Sequence, residues 1–180
     1  MKNPILGNFE AFPDVVQAFS QVEYKIPLKN LQILIVEVFE ELNGYVETLT
    51  SKTLTSIAPS KCIFEVGIAE GLTFTFLGKN EVKKFKEYIK RNSTKNLDFL
   101  IRTLYRYRKS KKKEVSLWSD FYYVRFMFED YDKLEILVNH FKGTRKIPLD
   151  ILIRKLIQFI NKRLKREGFK PLRIVKIVGH

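Results

Sequence analysis

Apolar residues in this chain repeat with two periods, and the switches between them mark out its elements. Pro13, followed by Val15, Val16, Phe19 and Val22, predicts a short first helix that stops before Pro27. Leu28, Leu31, Leu34, Ile35, Val38, Phe39 and Leu42 give a second helix, and Ile33 and Val36 widen its apolar stripe until it must lie centrally. Asn43-Gly44 stops it. Tyr45 to Thr50 reads as a strand and residues 51–60 as a loop. Cys62, Phe64, Val66 and Ile68 then alternate, as do Leu72, Phe74 and Phe76, which is the pattern of a half-buried hairpin.

Asn80 is the expected cap of the next helix, with Val82, Phe85 and Ile89 on its inner side. A further helix is expected from Leu97, because Leu97, Leu100, Ile101 and Leu104 fall on one side at helical spacing. Val115 to Phe128 reads as a long strand with Trp118, Tyr122, Val124, Phe126 and Phe128 on one face. Glu129-Asp130-Tyr131-Asp132 turns the chain into a return strand through Leu134, Ile136 and Val138. Pro148 opens a helix through Leu149, Leu152, Ile153, Leu156, Phe159, Ile160 and Leu164, with Asp150 in its first turn and Lys165-Arg166 in its last, as the helix dipole favours. Leu172, Ile174 and Val178 form a terminal strand.

Together these elements predict an α+β fold, a mostly antiparallel sheet of five to six strands with helices on one face. Residues 62–108 and 115–167 each read as a hairpin followed by a helix, which suggests a repeated ββα unit. The expected organisation is one domain over residues 1–180, with a helical segment at 1–44 and a sheet-and-helix body at 45–180.

Charge changes the picture more than bulk composition does. The 180 residues are 45% hydrophobic, with 15 Phe and 8 Tyr, enough for a real core, and the net charge is +13. Residues 1–80 hold 6 basic against 9 acidic side chains, whereas residues 81–180 hold 27 against 11. Such an asymmetry points to an anionic partner for one face. The abundance of lysine also fits a thermophile's surface. The opening MKNPILGNFEAF has no apolar signal segment, and one cysteine excludes an internal disulfide, so a cytoplasmic location is expected. The longest apolar stretch, Leu31–Phe39, is far short of the roughly 20 residues that span a bilayer, and no membrane partner is expected.

Chemistry-bearing motifs are sparse. One Cys and two His give no zinc-type ligand set, so no metal or other cofactor is expected. His140, on a strand, reads as a packed or surface residue, and Cys62 as a small buried hydrophobe. Glu129, Asp130 and Asp132 read as turn formers rather than a divalent-ion site. Gly67-Ile-Ala-Glu-Gly71 lacks the Lys-Ser/Thr of a triphosphate loop, and no nucleophile elbow is present.

The stretch Arg102–Val115, RTLYRYRKSKKKEV, carries seven cations and two tyrosines. Residues 83–113 hold 13 Lys and Arg against Glu87 and Asp98 alone. On the expected helix Arg102, Arg106 and Lys109 share a stripe, with Lys109–Lys113 as a link into the long strand. Cations in such number can neutralise phosphates without reading sequence, and tyrosines can stack on unpaired bases. The expected function is therefore a non-enzymatic nucleic-acid-binding or accessory subunit that contacts the phosphates of DNA or RNA through a basic helical face. The expected contacts are Arg102, Tyr105, Arg106, Tyr107, Arg108, Lys109, Lys111, Lys112 and Lys113. Lys142, Arg145 and Lys146, beside the helix opened by Pro148, form a second phosphate corner. The alternatives are an interaction subunit that docks an acidic protein partner, and a metal-dependent nuclease built on Glu65, Asp120, Glu129 and Glu135.

Overall fold

The computed structural model describes residues 4–48, 61–110 and 113–179. The loop expected at 51–60, the cations Lys111 and Lys112 and the terminal His180 lie outside the described residues. The elements run β1 (Ala18–Glu23), α1 (Leu28–Leu42), β2 (Val46–Thr48), β3 (Lys61–Glu70), β4 (Thr73–Phe76), α2 (Lys79–Arg91), β5 (Asn96–Ser110), β6 (Lys113–Phe128), β7 (Lys133–Lys142), α3 (Leu149–Arg166) and β8 (Arg173–Val178). Strands β2-β3-β5-β6-β7-β1-β8 lie side by side in one antiparallel sheet, and β4 pairs with β3 off this path. The α+β class and the antiparallel sheet match the sequence reading; the eight strands exceed the five or six expected.

Both additional strands come from segments that read as helices. Leu97–Arg108 is not a helix: it lies within β5, paired with β3 on one side and β6 on the other. Leu97, Phe99, Ile101, Thr103 and Tyr105 alternate inwards and are fully buried, so period two wins although the leucines also fit period 3.6. Nor does Pro13 open a helix. Residues 18–23 form β1, between β7 and β8, with Ala18, Ser20 and Val22 buried. With β5 a strand, β3–β4–α2 and β5–β6–β7–α3 differ in strand number, and a repeated ββα unit does not emerge.

All three helices pack on one face of the sheet. Phe39 of α1 stacks on Phe99 at 4.2 Å and meets Phe126 edge-on at 5.4 Å. Phe85 and Ile89 of α2 and Leu152, Leu156 and Ile160 of α3 bury into the same core. Leu31, Ile35, Val36 and Phe39 are all fully buried, which explains why α1 is apolar over so much of its circumference. Its Gln32 also points inwards, because its amide donates to the Thr94 carbonyl (2.7 Å) and accepts from the Thr94 N–H (3.2 Å). Gly44, with φ +79°, makes the left-handed turn after α1, while Asn43 is extended and its side chain bridges Leu77 and Val66. Gly78 caps α2 in place of Asn80, and the Glu81 carboxylate accepts from the Gly78 N–H at 3.0 Å.

Among the described residues, the opposite face of the sheet carries no helix. Half of it is covered by the N-terminal segment, which crosses as a strap. Gly7 inserts between β3 and β5, donating to the Ala69 carbonyl and accepting from the Asp98 N–H. Phe9 and Phe12 then lie on Ala69, Phe74, Tyr123 and Leu137. Asp98, fully buried, accepts from the Phe9 N–H at 2.7 Å and pairs with Arg125, whose guanidinium also donates to the Phe9 carbonyl and lies over the Phe12 ring. Asn139 holds the far end through Val15 and Gln17. Arg125→Ala is expected to cost about 3–5 kcal/mol, because it leaves a buried carboxylate without its partner. Burial already pushes the Asp98 carboxyl upward, so uptake of a proton would cap the loss. Urea unfolding checks this; a midpoint equal to that of the wild type would contradict it.

Candidate nucleic-acid interface

Beyond the strap, the helix-free face carries cations on β5 and β7. The register aligns Glu65, Arg102, Phe121 and Lys142 in one row across β3, β5, β6 and β7. The next rows are Ile63–Leu104–Ser119 and Lys61–Arg106. Arg102 donates to Glu65 (3.1 Å) and to the Ser119 hydroxyl (3.1 Å). Its guanidinium lies 5.7 Å from the centre of the Phe121 ring, and the Lys142 ammonium approaches the same ring at 5.5 Å. Phe141 stands beside them, 44% exposed.

From this face the β5–β6 hairpin runs on. Among the described residues β3 partners β5 only as far as Arg106, and β7 partners β6 only from Phe121. Past those points the two strands continue as a ribbon, paired from Tyr107↔Val115 to Ser110↔Lys113. Arg108, Lys109 and Lys113 are strand positions of this ribbon, not parts of a helix and a link. Alternation puts Arg102 and Arg106 on one face, as helical spacing would also have done.

The tyrosines depart from expectation. Tyr105 is fully buried on the helix side, so its ring is closed to a base. Tyr107 is half-buried and packs edge-on against Trp118, ring centres 5.3 Å apart. Behind them lies a polar cluster that sequence reasoning missed. Buried Asp120 accepts from the Tyr105 hydroxyl (2.8 Å) and from the backbone N–H groups of Arg145 (2.6 Å) and Lys146 (2.9 Å), and its Oδ1 lies 2.9 Å from His140 Nε2. The Thr103 hydroxyl donates to that of Tyr105 at 3.1 Å. His140 is thus a member of a network rather than a residue without neighbours. The signal was present: Asp120 shares a strand face with Tyr122, Val124 and Phe126, all core residues.

Asp120 sets the loop after β7. Gly143 has φ +107°, and a Cβ there would run into Asp120 Oδ1 and the Ser119 carbonyl. Arg145 follows with φ +51°. The backbone N–H groups of Arg145 and Lys146 are therefore already used by a carboxylate. Two cations of the expected phosphate corner serve the surroundings: Lys142 reaches Phe121 on the helix-free face, and Lys146 lies over Trp118, itself 50% exposed.

Several cations on the helices are answered within the fold. Lys155 pairs with Glu47, and Arg163 with Glu37, Glu41 and Glu167. Lys84 pairs with Glu70 and Lys86 with Glu37. The α2 cations, Lys83 to Arg91, thus belong to the helix layer, whereas those from Arg102 onward belong to the sheet and ribbon. The nuclease candidates also separate. Glu65 and Asp120 are on opposite faces of the sheet, and among the described residues no group of His, Cys, Asp and Glu is arranged to hold a metal ion. Among the described residues no helix is long and apolar enough to cross a membrane.

Cys62 is fully buried, and burial pushes its thiol from 9.0 up to about 12. The Tyr105 and Tyr122 hydroxyls are raised in the same direction by burial. The unfolded thiol ionises first as pH rises. The stability this group contributes is complete below pH 9.0 and is lost as pH climbs toward about 12. Urea midpoints should therefore fall through the alkaline range, and less steeply in Cys62→Ala. Midpoints that stay level would contradict the account, as would a native thiol that reacts readily with an aromatic disulfide reagent.

No protein family, curated protein or solved structure matches the chain.

Proposed function

We propose that this protein binds nucleic acid, DNA or RNA, as a non-catalytic or accessory component, and that it holds phosphates on the helix-free face of its sheet beside the β5–β6 ribbon. The observation that carries the reading is the placement of Arg102, Arg106 and Lys142 on a part of that face away from the N-terminal strap, continuous with a two-stranded ribbon that includes Arg108, Lys109 and Lys113. Arginine's planar fork suits phosphate oxygens, and each phosphate neutralised releases condensed counterions. A two-stranded ribbon is also a shape that a nucleic-acid groove admits.

The expected basic helical face is replaced by this sheet face. On the helix layer Lys86, Lys155 and Arg163 already meet Glu37, Glu41, Glu47 and Glu167. The same pairing occupies two of the acidic residues on α1 that a second copy's basic face would need. Binding is favoured over cleavage by the dispersal of the carboxylates described above. Fluorescence anisotropy with labelled oligonucleotides across a salt series tests the reading. Binding that weakens steeply and linearly in log–log form supports it, and absence of binding at low salt overturns it.

A further inference from the structure

The bare part of the helix-free face holds more than charge. Phe74, Tyr123 and Phe141 form a column of near-parallel rings: Phe74 and Tyr123 are 5.7 Å apart at 18°, and Tyr123 and Phe141 are 4.0 Å apart at 6°. The strap covers the inner end, where Phe9 packs on Phe74 and Tyr123. The outer end is open. Phe141 is 44% exposed, and among the described residues its aromatic neighbours are Tyr123 and, at 52° and 5.8 Å, Phe121. Phe121 in turn lies between the Arg102 guanidinium and the Lys142 ammonium. The column thus ends in an exposed aromatic face with two cations beside it.

We propose that Phe141 is a stacking platform for an unpaired base, and that Arg102 and Lys142 hold the phosphates flanking that base. The inference rests on the phosphate-binding reading and narrows its ligand to single-stranded nucleic acid. A base is the planar group that continues such a column, and every base has a π-face, so the contact is indifferent to sequence. Bases within a duplex are already stacked on one another. A duplex could meet the cations but would leave the Phe141 ring in water, and so lose the contribution that distinguishes this face from a merely basic one. Charge complementarity favours a polyanion here over an apolar protein segment, since Arg102 and Lys142 stand in the row beside the exposed ring against Glu65 alone in that row.

The test is anisotropy with a short labelled oligothymidylate and with a duplex of equal length, for the wild type, Phe141→Ala and Phe141→Tyr. The expected result is preference for the single strand, a loss of about tenfold in Phe141→Ala confined to the single strand, and retention in Phe141→Tyr. Equal affinity for strand and duplex, with Phe141→Ala unchanged on both, overturns the stacking site while leaving phosphate binding intact. Failure of both probes to bind at low salt overturns both readings. A dimer seen by light scattering that Phe141→Ala dissolves would assign the ring to a second copy and overturn the proposal. Phe141 lies on the surface, and a native circular-dichroism spectrum for each variant shows that the comparison is between folded proteins.

Discussion

Replacing Arg102, Arg106 and Lys142 together by glutamine is expected to lower affinity for any nucleic acid by at least about tenfold at low salt and to reduce the log–log salt slope by about 2. Arg102 and Lys142 share one row and Arg106 stands two rows further along the same face, so one extended backbone can meet them together. The loss should be uniform across sequences, because phosphate contacts position a strand without reading it. Glutamine keeps most of the length and the hydrogen-bonding capacity and removes only the charge. Arg102→Gln also frees Glu65 from its partner, which adds a negative charge to the row. The control is Lys83, Lys90 and Arg91 on α2, an equal change in net charge within the helix layer. If that triple weakens binding as much as the first, net charge and not the face is responsible.

Asp120→Ala is expected to produce the largest loss of stability on the helix-facing side of the sheet. It strips the partner from the Tyr105 hydroxyl and from the Arg145 and Lys146 N–H groups. Each buried donor left unsatisfied costs about 1–3 kcal/mol, and about 4 kcal/mol in all is expected, near 10 °C in Tm. The effect should reach the interface, because the same carboxylate holds the loop that follows Lys142. Amide exchange at Arg145 and Lys146 should rise by orders of magnitude, and affinity should fall even under conditions where the variant is folded. Asp120→Asn, which keeps one acceptor oxygen, should lose less on both counts. An Asp120→Ala protein with wild-type stability and slow exchange in the loop would show that the network does not set the loop's position.

Much of this architecture was legible wherever one period stood alone. α1, α3, the β3–β4 hairpin and the β6–β7 hairpin follow their patterns to within a few residues, since Leu28–Leu42 and Leu149–Leu164 have no competing alternation. Leu97–Leu104 satisfied two periods at once. What settled it is non-local: β3 and β6 flank the segment and bond both its edges, and no window of sequence contains that pairing. The N-terminal strap was hidden for the same reason. Phe9 and Phe12 have no periodic neighbours, and their partners Tyr123 and Arg125 lie more than a hundred residues away in the chain.

The basic stretch was legible as charge and misread as shape. Helical geometry linked Arg102 with Lys109, whereas the sheet links it with Phe121 and Lys142. Phe121 and Phe141 carried no signal of their own, because an aromatic on a strand is ordinary core material until its face is known. Asp120 did carry one, since a carboxylate in register with core residues on a strand must find donors.

The most direct test of the whole account is an amide NMR shift map recorded while an oligothymidylate is added. The account predicts shifts gathered on Arg102, Arg106, Phe121, Phe141 and Lys142 and along the β5–β6 ribbon, with α2 and α3 unmoved. Shifts gathered instead on the helix layer, around Lys83–Arg91 or Arg154–Arg166, would contradict it and move the binding surface to the other side of the sheet.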